Sequence, residues 1–96
     1  MTRFNPWLGL GPALRDANQK WSVRLMPEYI AAVAWWLAHD YAKDIGINFE
    51  QRMEYHLATL NNSSEDLSND EYHAAKHVIG IIFAENRAAH IEEAGT

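Results

Sequence analysis

The chain has 96 residues, enough for one domain with one hydrophobic core and too few for two. It contains no cysteine, which excludes disulfide scaffolds, thiolate nucleophiles and zinc sites with sulfur ligands. Apolar residues (48%) and charged residues (22%) are close to the averages of globular proteins, so we expect the chain to fold.

The net charge of −5 is unevenly distributed along the sequence. Residues 1–49 carry five basic and four acidic side chains, whereas residues 50–96 carry three basic and nine acidic ones. Proteins that bind phosphate backbones rely on clustered Lys and Arg, so this balance disfavours direct nucleic-acid binding. It favours a basic protein partner instead, because opposite charges guide encounter.

Neither a membrane span nor an export signal is predicted. The longest uncharged apolar run, residues 29–38, has ten residues, whereas a membrane span takes about twenty. Between Pro6 and Pro12 the N-terminal segment is interrupted by prolines and glycines, so it lacks the unbroken apolar stretch of a signal peptide. We therefore expect a cytoplasmic protein.

Residues 1–26 predict an irregular N-terminal arm that packs on the helices. The arm is punctuated by prolines and glycines, yet it carries too many large apolar side chains, tryptophan among them, to stay in solvent. A short helix from Pro12 to Lys20 is predicted within it, since proline suits the first helical turn. Residues 21–25 alternate between apolar and polar, which indicates a short extended piece.

The first of three main helices is predicted over residues 27–44. Proline opens it, Glu28 lies in its first turn and a glycine follows its end. Apolar residues occur nearly all round this helix, so we expect it to be central. Trp35 and Trp36 point about 100° apart, and we expect one of them to be directed away from the core.

Two further helices are predicted over residues 48–60 and 68–91. Asn-x-x-Gln at position 48 and Ser-x-x-Glu at position 68 are typical capping patterns, and each helix carries an apolar stripe. Gly80 lies inside the last helix, where glycine is unfavourable, so a close helix crossing is expected there. The predicted fold is all-α: one domain over residues 1–96, a small bundle of three main helices with an irregular, Trp-containing N-terminal arm.

Two histidines form the strongest metal-ligand pattern in the sequence. His73 and His77 lie on one face of the last predicted helix, and Asp70 precedes His73 by three residues on the same side. A transition-metal site needs three or four ligands. Further ligands could come from the other helices: His39, Asp40, Glu54 and His56. The simpler alternative is a chance pair of histidines on a solvated helix face, without metal.

The dipeptide His39-Asp40 resembles the His-Asp pair of the HD phosphohydrolases, in which these side chains hold a metal ion that activates water. The resemblance covers two residues and implies metal-dependent hydrolysis. The family also has a histidine well upstream of the pair, and this chain has none before His39. The alternative is a polar helix end, with Asp40 and Lys43 in solvent.

Aromatic residues are frequent, with four Trp, four Tyr and three Phe, and they suggest a contact surface. Trp and Tyr dominate small cores and also the hot spots of interfaces, so Trp36 and Tyr55 are candidate contact residues. Four acidic candidates lie around the start of the last helix: Glu65, Asp66, Asp70 and Glu71. Acidic side chains at this position also complement the helix dipole without any partner.

We therefore predict a non-enzymatic interaction module or inhibitor, without cofactor or catalytic residues. It would bind a basic protein, for example a nucleic-acid-binding one, through an acidic face and an aromatic patch. Inhibitors encoded by mobile elements, such as anti-CRISPR proteins, work in this way, although no residue pattern here identifies one. The first alternative is a small metal-binding or metal-dependent hydrolytic protein using His73 and His77. The second is a homo-oligomeric structural component, such as a homodimer.

Overall fold

Four α-helices make up the architecture. The computed structural model describes residues 4–42, 48–60 and 68–94, and no strand occurs among them. In chain order the helices are α1 (Leu10–Trp21), α2 (Pro27–Ala42), α3 (Phe49–Leu60) and α4 (Asn69–Ala94). The all-α class is confirmed. The count of three main helices is not, because the N-terminal arm contains a helix as long as α3.

The arm forms regular structure because its apolar residues recur at helical spacing. The buried residues of α1 lie three or four positions apart and face the core: Leu10, Ala13, Leu14 and Ala17. Proline in the first turn costs no hydrogen bond, since the first amide groups of a helix lack intrahelical acceptors. The helix ends where Ser22 adopts a left-handed conformation with φ 54°. Residues 23–26 then lead to α2 without forming a strand.

α1 runs antiparallel to α4. The ring of Trp21, at the end of α1, lies 5.5 Å from that of His77. At the other end, Asn5 and Asn86 are joined by two hydrogen bonds. The backbone amide of Asn5 donates to Asn86 Oδ1 at 2.8 Å, and Asn86 Nδ2 donates to the Asn5 carbonyl at 2.9 Å. The N-terminal arm is thus attached along α4 over several turns.

α2 and α3 form an antiparallel helical hairpin. The hydroxyl of Tyr29, near the start of α2, donates to the carbonyl of Leu57, near the end of α3, at 2.5 Å. The predicted cap of α3 is present, because Asn48 Oδ1 accepts from the Gln51 amide at 3.1 Å. The Tyr29–Leu57 contact therefore joins α2 to α3 at the open end of the hairpin, and the Asn48 cap defines where α3 begins.

The capping box at the start of α4 is also present. The Ser68 hydroxyl accepts from the Glu71 amide at 3.2 Å, and the Glu71 carboxylate accepts from the Ser68 amide at 3.1 Å.

The expected close crossing at Gly80 is wrong, because this residue is exposed and no heavy atom lies within 4 Å of where a Cβ would be. Among the described residues, no helix is long and apolar enough to cross a membrane.

The core is shared by all four helices. Its largest fully buried side chains come from each of them: Leu10, Ile30, Val33, Leu37, Met53, Leu57, Val78, Ile79 and Ile82. Burying each such side chain stabilises the fold by about 1.5–3 kcal/mol before entropy is counted. Because α2 packs on both α3 and α4, its exposed side is narrow, and that side carries Trp35 and Trp36.

Candidate functional site

A buried ionic cluster joins α2 to α3 near the end of α2. The carboxylate of Asp40, whose residue is 5% exposed, accepts hydrogen bonds from Arg52 Nε at 3.0 Å and Arg52 Nη2 at 3.3 Å. It also accepts from His56 Nε2 at 2.6 Å, and His56 is equally buried. Arg52 and His56 are one helical turn apart on α3, so a single carboxylate contacts both. We call these three residues the ionic cluster.

The ionic cluster holds Asp40 in its charged form. The hydrogen bond from Arg52 is the main cause that lowers the pKa of Asp40, and His56 lowers it further, whereas burial acts in the opposite direction. The same hydrogen bond raises the pKa of Arg52. Asp40 and Arg52 therefore stay ionised across the neutral range. A carboxylate with this low pKa is a structural anion and a poor proton donor near neutral pH.

The expectation that Asp40 is solvated is wrong, because its carboxylate is buried against Arg52 and His56. His39 has different neighbours, since consecutive helical residues point about 100° apart. Its ring stacks on Trp35 with an interplanar angle of 7° and a centroid distance of 5.5 Å. The two side chains of the His39-Asp40 pair thus do not converge, and the likeness to HD phosphohydrolases does not extend to the geometry. Lys43 lies outside the described residues.

An aromatic patch covers the ionic cluster on the protein surface. It consists of Trp35, Trp36 and Tyr55, which are 46%, 41% and 55% exposed. The two indoles meet edge to face, with centroids 5.0 Å apart and an interplanar angle of 86°. Trp36 also stacks on the ring of His56, at 6.2 Å and 22°. Both tryptophans are exposed, where the sequence had suggested one.

Tyr55 also contacts the ionic cluster, through both His56 and Arg52. Its ring lies 5.3 Å from that of His56, and the Arg52 guanidinium lies 4.7 Å from the Tyr55 ring centroid. His56 and Arg52 therefore each contact both the buried carboxylate and an exposed ring. The ionic cluster therefore supports two rings of the aromatic patch, Trp36 and Tyr55.

The structure brings the predicted contact residues Trp36 and Tyr55 together through His56. The acidic candidates are elsewhere. Glu71 caps α4 and lies near Tyr29, two turns of α2 before Trp36. Asp70 is exposed beside Glu71. The other two predicted acidic residues, Glu65 and Asp66, lie outside the described residues.

Two acidic residues that the sequence analysis did not select for partner binding lie on α3. Burial is the main cause that raises the pKa of Tyr72, and the charges of Glu54 and Glu50 raise it further, so both carboxylates lie near α4. Glu50 is paired with Lys76 at 2.5 Å, whereas Glu54 is exposed next to Tyr55 in sequence. We call Glu54, Asp70 and Glu71 the acidic face. The signal that could have identified Glu54 from the sequence was its position directly before Tyr55, a predicted contact residue.

His73 and His77 do not form a metal centre with other described side chains. Within residues 4–42, 48–60 and 68–94, no group of three or more His, Asp or Glu residues is placed to hold a metal ion. His77 packs against Trp21, and His73 packs against the neighbouring Tyr72. His56, one of the further ligands considered, contacts Asp40 instead.

Over the residues that the structure describes, the fold and this site define a small helical protein whose surface carries an aromatic patch beside a buried carboxylate. Comparisons with protein-family models, with curated proteins and with solved structures find no match to this chain. Its function is therefore argued from its own geometry.

Proposed function

We propose that this chain is a protein interaction module that binds a basic protein partner through the aromatic patch, with the acidic face guiding the encounter. The observation that carries the proposal is the gathering of Trp35, Trp36 and Tyr55 on one surface above the ionic cluster. Interface hot spots are enriched in Trp, Tyr and Arg, and all three occur here.

The chemistry of the site favours binding over bond making. The buried carboxylate of Asp40 is occupied by Arg52 and His56, and its low pKa makes it a poor acid. The aromatic patch instead exposes apolar ring surface that a partner can cover. Each Trp or Tyr ring buries a large apolar area, and burial yields about 25 cal/mol per Å². Exposed rings of this size in a small protein mark a place where such burial can occur.

A basic partner is favoured by the net charge of the chain and by its exposed carboxylates. The chain carries a net charge of −5, and the charge of Arg52 is compensated by Asp40. Glu54 and Asp70 remain exposed. Lys and Arg side chains of a partner can bind these carboxylates and can also lie over the indole faces of the patch. A partner that uses a basic groove for nucleic acid would be blocked by this surface, which would make the chain an inhibitor.

The test compares two tryptophan variants of the full chain. Trp36→Ala removes a ring from the patch, and Trp7→Ala removes one that is exposed elsewhere, at 53%. A partner captured by the wild-type chain from host lysate is purified, and its affinity is measured by calorimetry. We expect Trp36→Ala to weaken binding by about 30-fold or more, as hot-spot residues do. Trp7→Ala should leave affinity unchanged.

Charge variants test whether the acidic face guides the encounter with the partner. Glu54→Lys with Asp70→Lys should slow association, and the slowing should shrink as salt is added, because steering is screened. Equal affinity of wild type and Trp36→Ala, or a captured partner with an acidic surface, would overturn the proposal. If sedimentation instead shows a dimer that Trp36→Ala dissociates, the patch serves self-association and the homo-oligomeric alternative holds.

A further inference from the structure

A second surface feature, separate from the aromatic patch, lies between the end of α1 and the middle of α4. It is a groove of about 690 Å³ that is open to solvent. Its apolar lining is formed by Trp21, Gly80, Ile81 and Ala84, and its remaining lining residues are Lys20, His73, Lys76 and His77. Pockets for small ligands have volumes of about 300–1,000 Å³ and combine an apolar lining with a few polar groups; this groove has such a volume and lining but is more open to solvent.

Gly80 lines the groove from the middle of α4. Glycine inside a helix costs about 1 kcal/mol relative to alanine, so its presence calls for a reason. Close packing is not that reason, because a Cβ at Gly80 would have no heavy atom within 4 Å. The missing side chain leaves space directly above the backbone of α4, between Trp21 and Ile81 in the lining. A planar group could contact the helix there.

The charge of the groove contrasts with that of the chain. Its four ionisable lining residues are two lysines and two histidines, and none is acidic, although the net charge of the protein is −5. Lys76 is paired with Glu50. The ammonium group of Lys20 lies over the ring of Trp21, 4.6 Å from its centroid, so the cation and the indole share one part of the groove. The histidine rings add two further hydrogen-bond donors.

We propose that this groove binds a small aromatic anion, a planar ring that carries a carboxylate, sulfonate or phosphate group. The ring lies against Trp21 and the exposed backbone at Gly80. The anionic group is bound by Lys20 and by the imidazole of His73 or His77. This binding is independent of the aromatic patch and of the partner proposed for it.

Naphthalene-2-sulfonate is the probe, because it combines a planar ring with a permanent negative charge. Its dissociation constant is measured by calorimetry, and its position is mapped by amide chemical shifts. The neutral sulfonamide of the same ring and inorganic sulfate serve as partial ligands. Both should bind at least about tenfold more weakly than the probe, because each lacks one half of the interaction. Amide shifts should be concentrated at the end of α1 and at residues 73–84.

Two leucine substitutions on α4 separate binding from folding. Gly80→Leu fills the groove, and it should weaken the probe at least about tenfold while leaving thermal stability equal or higher, since leucine favours helix. Ala88→Leu, at an exposed position two turns further along, should leave probe affinity unchanged. Lys20→Gln should weaken binding by about threefold. Unchanged affinity in Gly80→Leu, equal binding of the neutral sulfonamide, or shifts centred on Trp36 and Tyr55 would each overturn the proposal.

Discussion

The α2–α3 hairpin and the α1–α4 pair are held together by different interactions. In the hairpin, a buried carboxylate contacts two cationic or polar side chains at one end, and a tyrosine hydroxyl contacts a carbonyl at the other. In the α1–α4 pair, apolar side chains and aromatic rings make most of the contact, with Asn5 and Asn86 at one end. Directional contacts fix orientation, whereas apolar contacts tolerate small shifts.

This difference explains where each surface feature lies. The rings of the aromatic patch are kept in place because Arg52 and His56 hold them through directional bonds to Asp40. Between α1 and α4 no such contact fills the space above Gly80, and a groove remains. A buried ion pair adds little net stability, because desolvation of the two charges offsets most of their attraction, whereas removing one partner is costly.

The largest effect is expected from Asp40→Ala, which removes the centre of the ionic cluster. His56 and the inner part of Arg52 lose their partner in a buried region, so the free energy of unfolding should fall by about 3 kcal/mol. Chemical denaturation measures it. Glu28→Ala, which removes an exposed carboxylate from the same helix, is the control and should change stability by no more than about 0.5 kcal/mol.

Acid titration sharpens this test. The pKa of Asp40 is lowered from 3.8, so its stabilising contribution is present above pH 3.8 and is lost as the pH falls through the lower folded value. The stability difference between wild type and Asp40→Ala should therefore shrink in strong acid. The same difference at neutral pH and in strong acid would show that the charge of Asp40 is unimportant.

Tyr29→Phe tests the other end of the hairpin. Burial, with a smaller contribution from Glu71, raises the pKa of Tyr29 from 10.0 to about 12. The protonated form is thus favoured in the folded chain, and this stabilisation is present below pH 10 and is lost as the pH rises through 12.

Denaturation at alkaline pH measures this loss. Wild type should lose stability between pH 10 and 12, and Tyr29→Phe should lose less over the same range. Tyr55→Phe, at an exposed ring, is the control and should behave as the wild type does. A parallel loss in all three proteins would contradict the assignment to Tyr29.

Gly9→Ala tests the α1–α4 pair. Gly9 has φ 79°, and a Cβ there would lie 2.8 Å from Glu85 Cγ. The left-handed conformation costs a non-glycine residue about 1–2 kcal/mol, so the thermal midpoint should fall accordingly. Gly11→Ala is the matched control, since a Cβ at Gly11 meets nothing within 4 Å. Equal midpoints for the two variants would show that the start of α1 is not constrained by α4.

The smallest effect is expected from Lys76→Gln. The pair between Lys76 and Glu50 joins α3 to α4 on the surface, where water and salt screen it. Although this contact raises the pKa of Lys76, unfolding curves of the variant and wild type should coincide. A clear loss of stability would mean that α3 depends on this pair for its position.

Local signals in the sequence predicted much of the helical structure. The capping patterns at Asn48 and Ser68 are present as hydrogen bonds, because a cap needs only residues three positions apart. The apolar stripes of α3 and α4 are buried at Met53 and Ile79. The arm was harder, because prolines and glycines in its first turn concealed an apolar stripe that continues to Ala17.

For the candidate site, the sequence predicted which aromatic residues belong to it, but it did not predict which side chains contact one another there. Trp36 and Tyr55 were selected because of what tryptophan and tyrosine do at interfaces. The burial of Asp40 was missed, since its partners lie 12 and 16 residues further along the chain. Nothing local to Asp40 distinguishes a buried ion pair from a solvated helix end.

The sequence by itself determined the helical class, the caps and the apolar stripes, because these depend on residues within a few positions of one another. Only the tertiary structure decided that one carboxylate contacts both Arg52 and His56, that Trp35 and Trp36 are both exposed, and that a groove lies between the end of α1 and the middle of α4. The physical reason is that these features depend on which helix faces which. That choice is made by packing between distant residues, where apolar burial outweighs local preference.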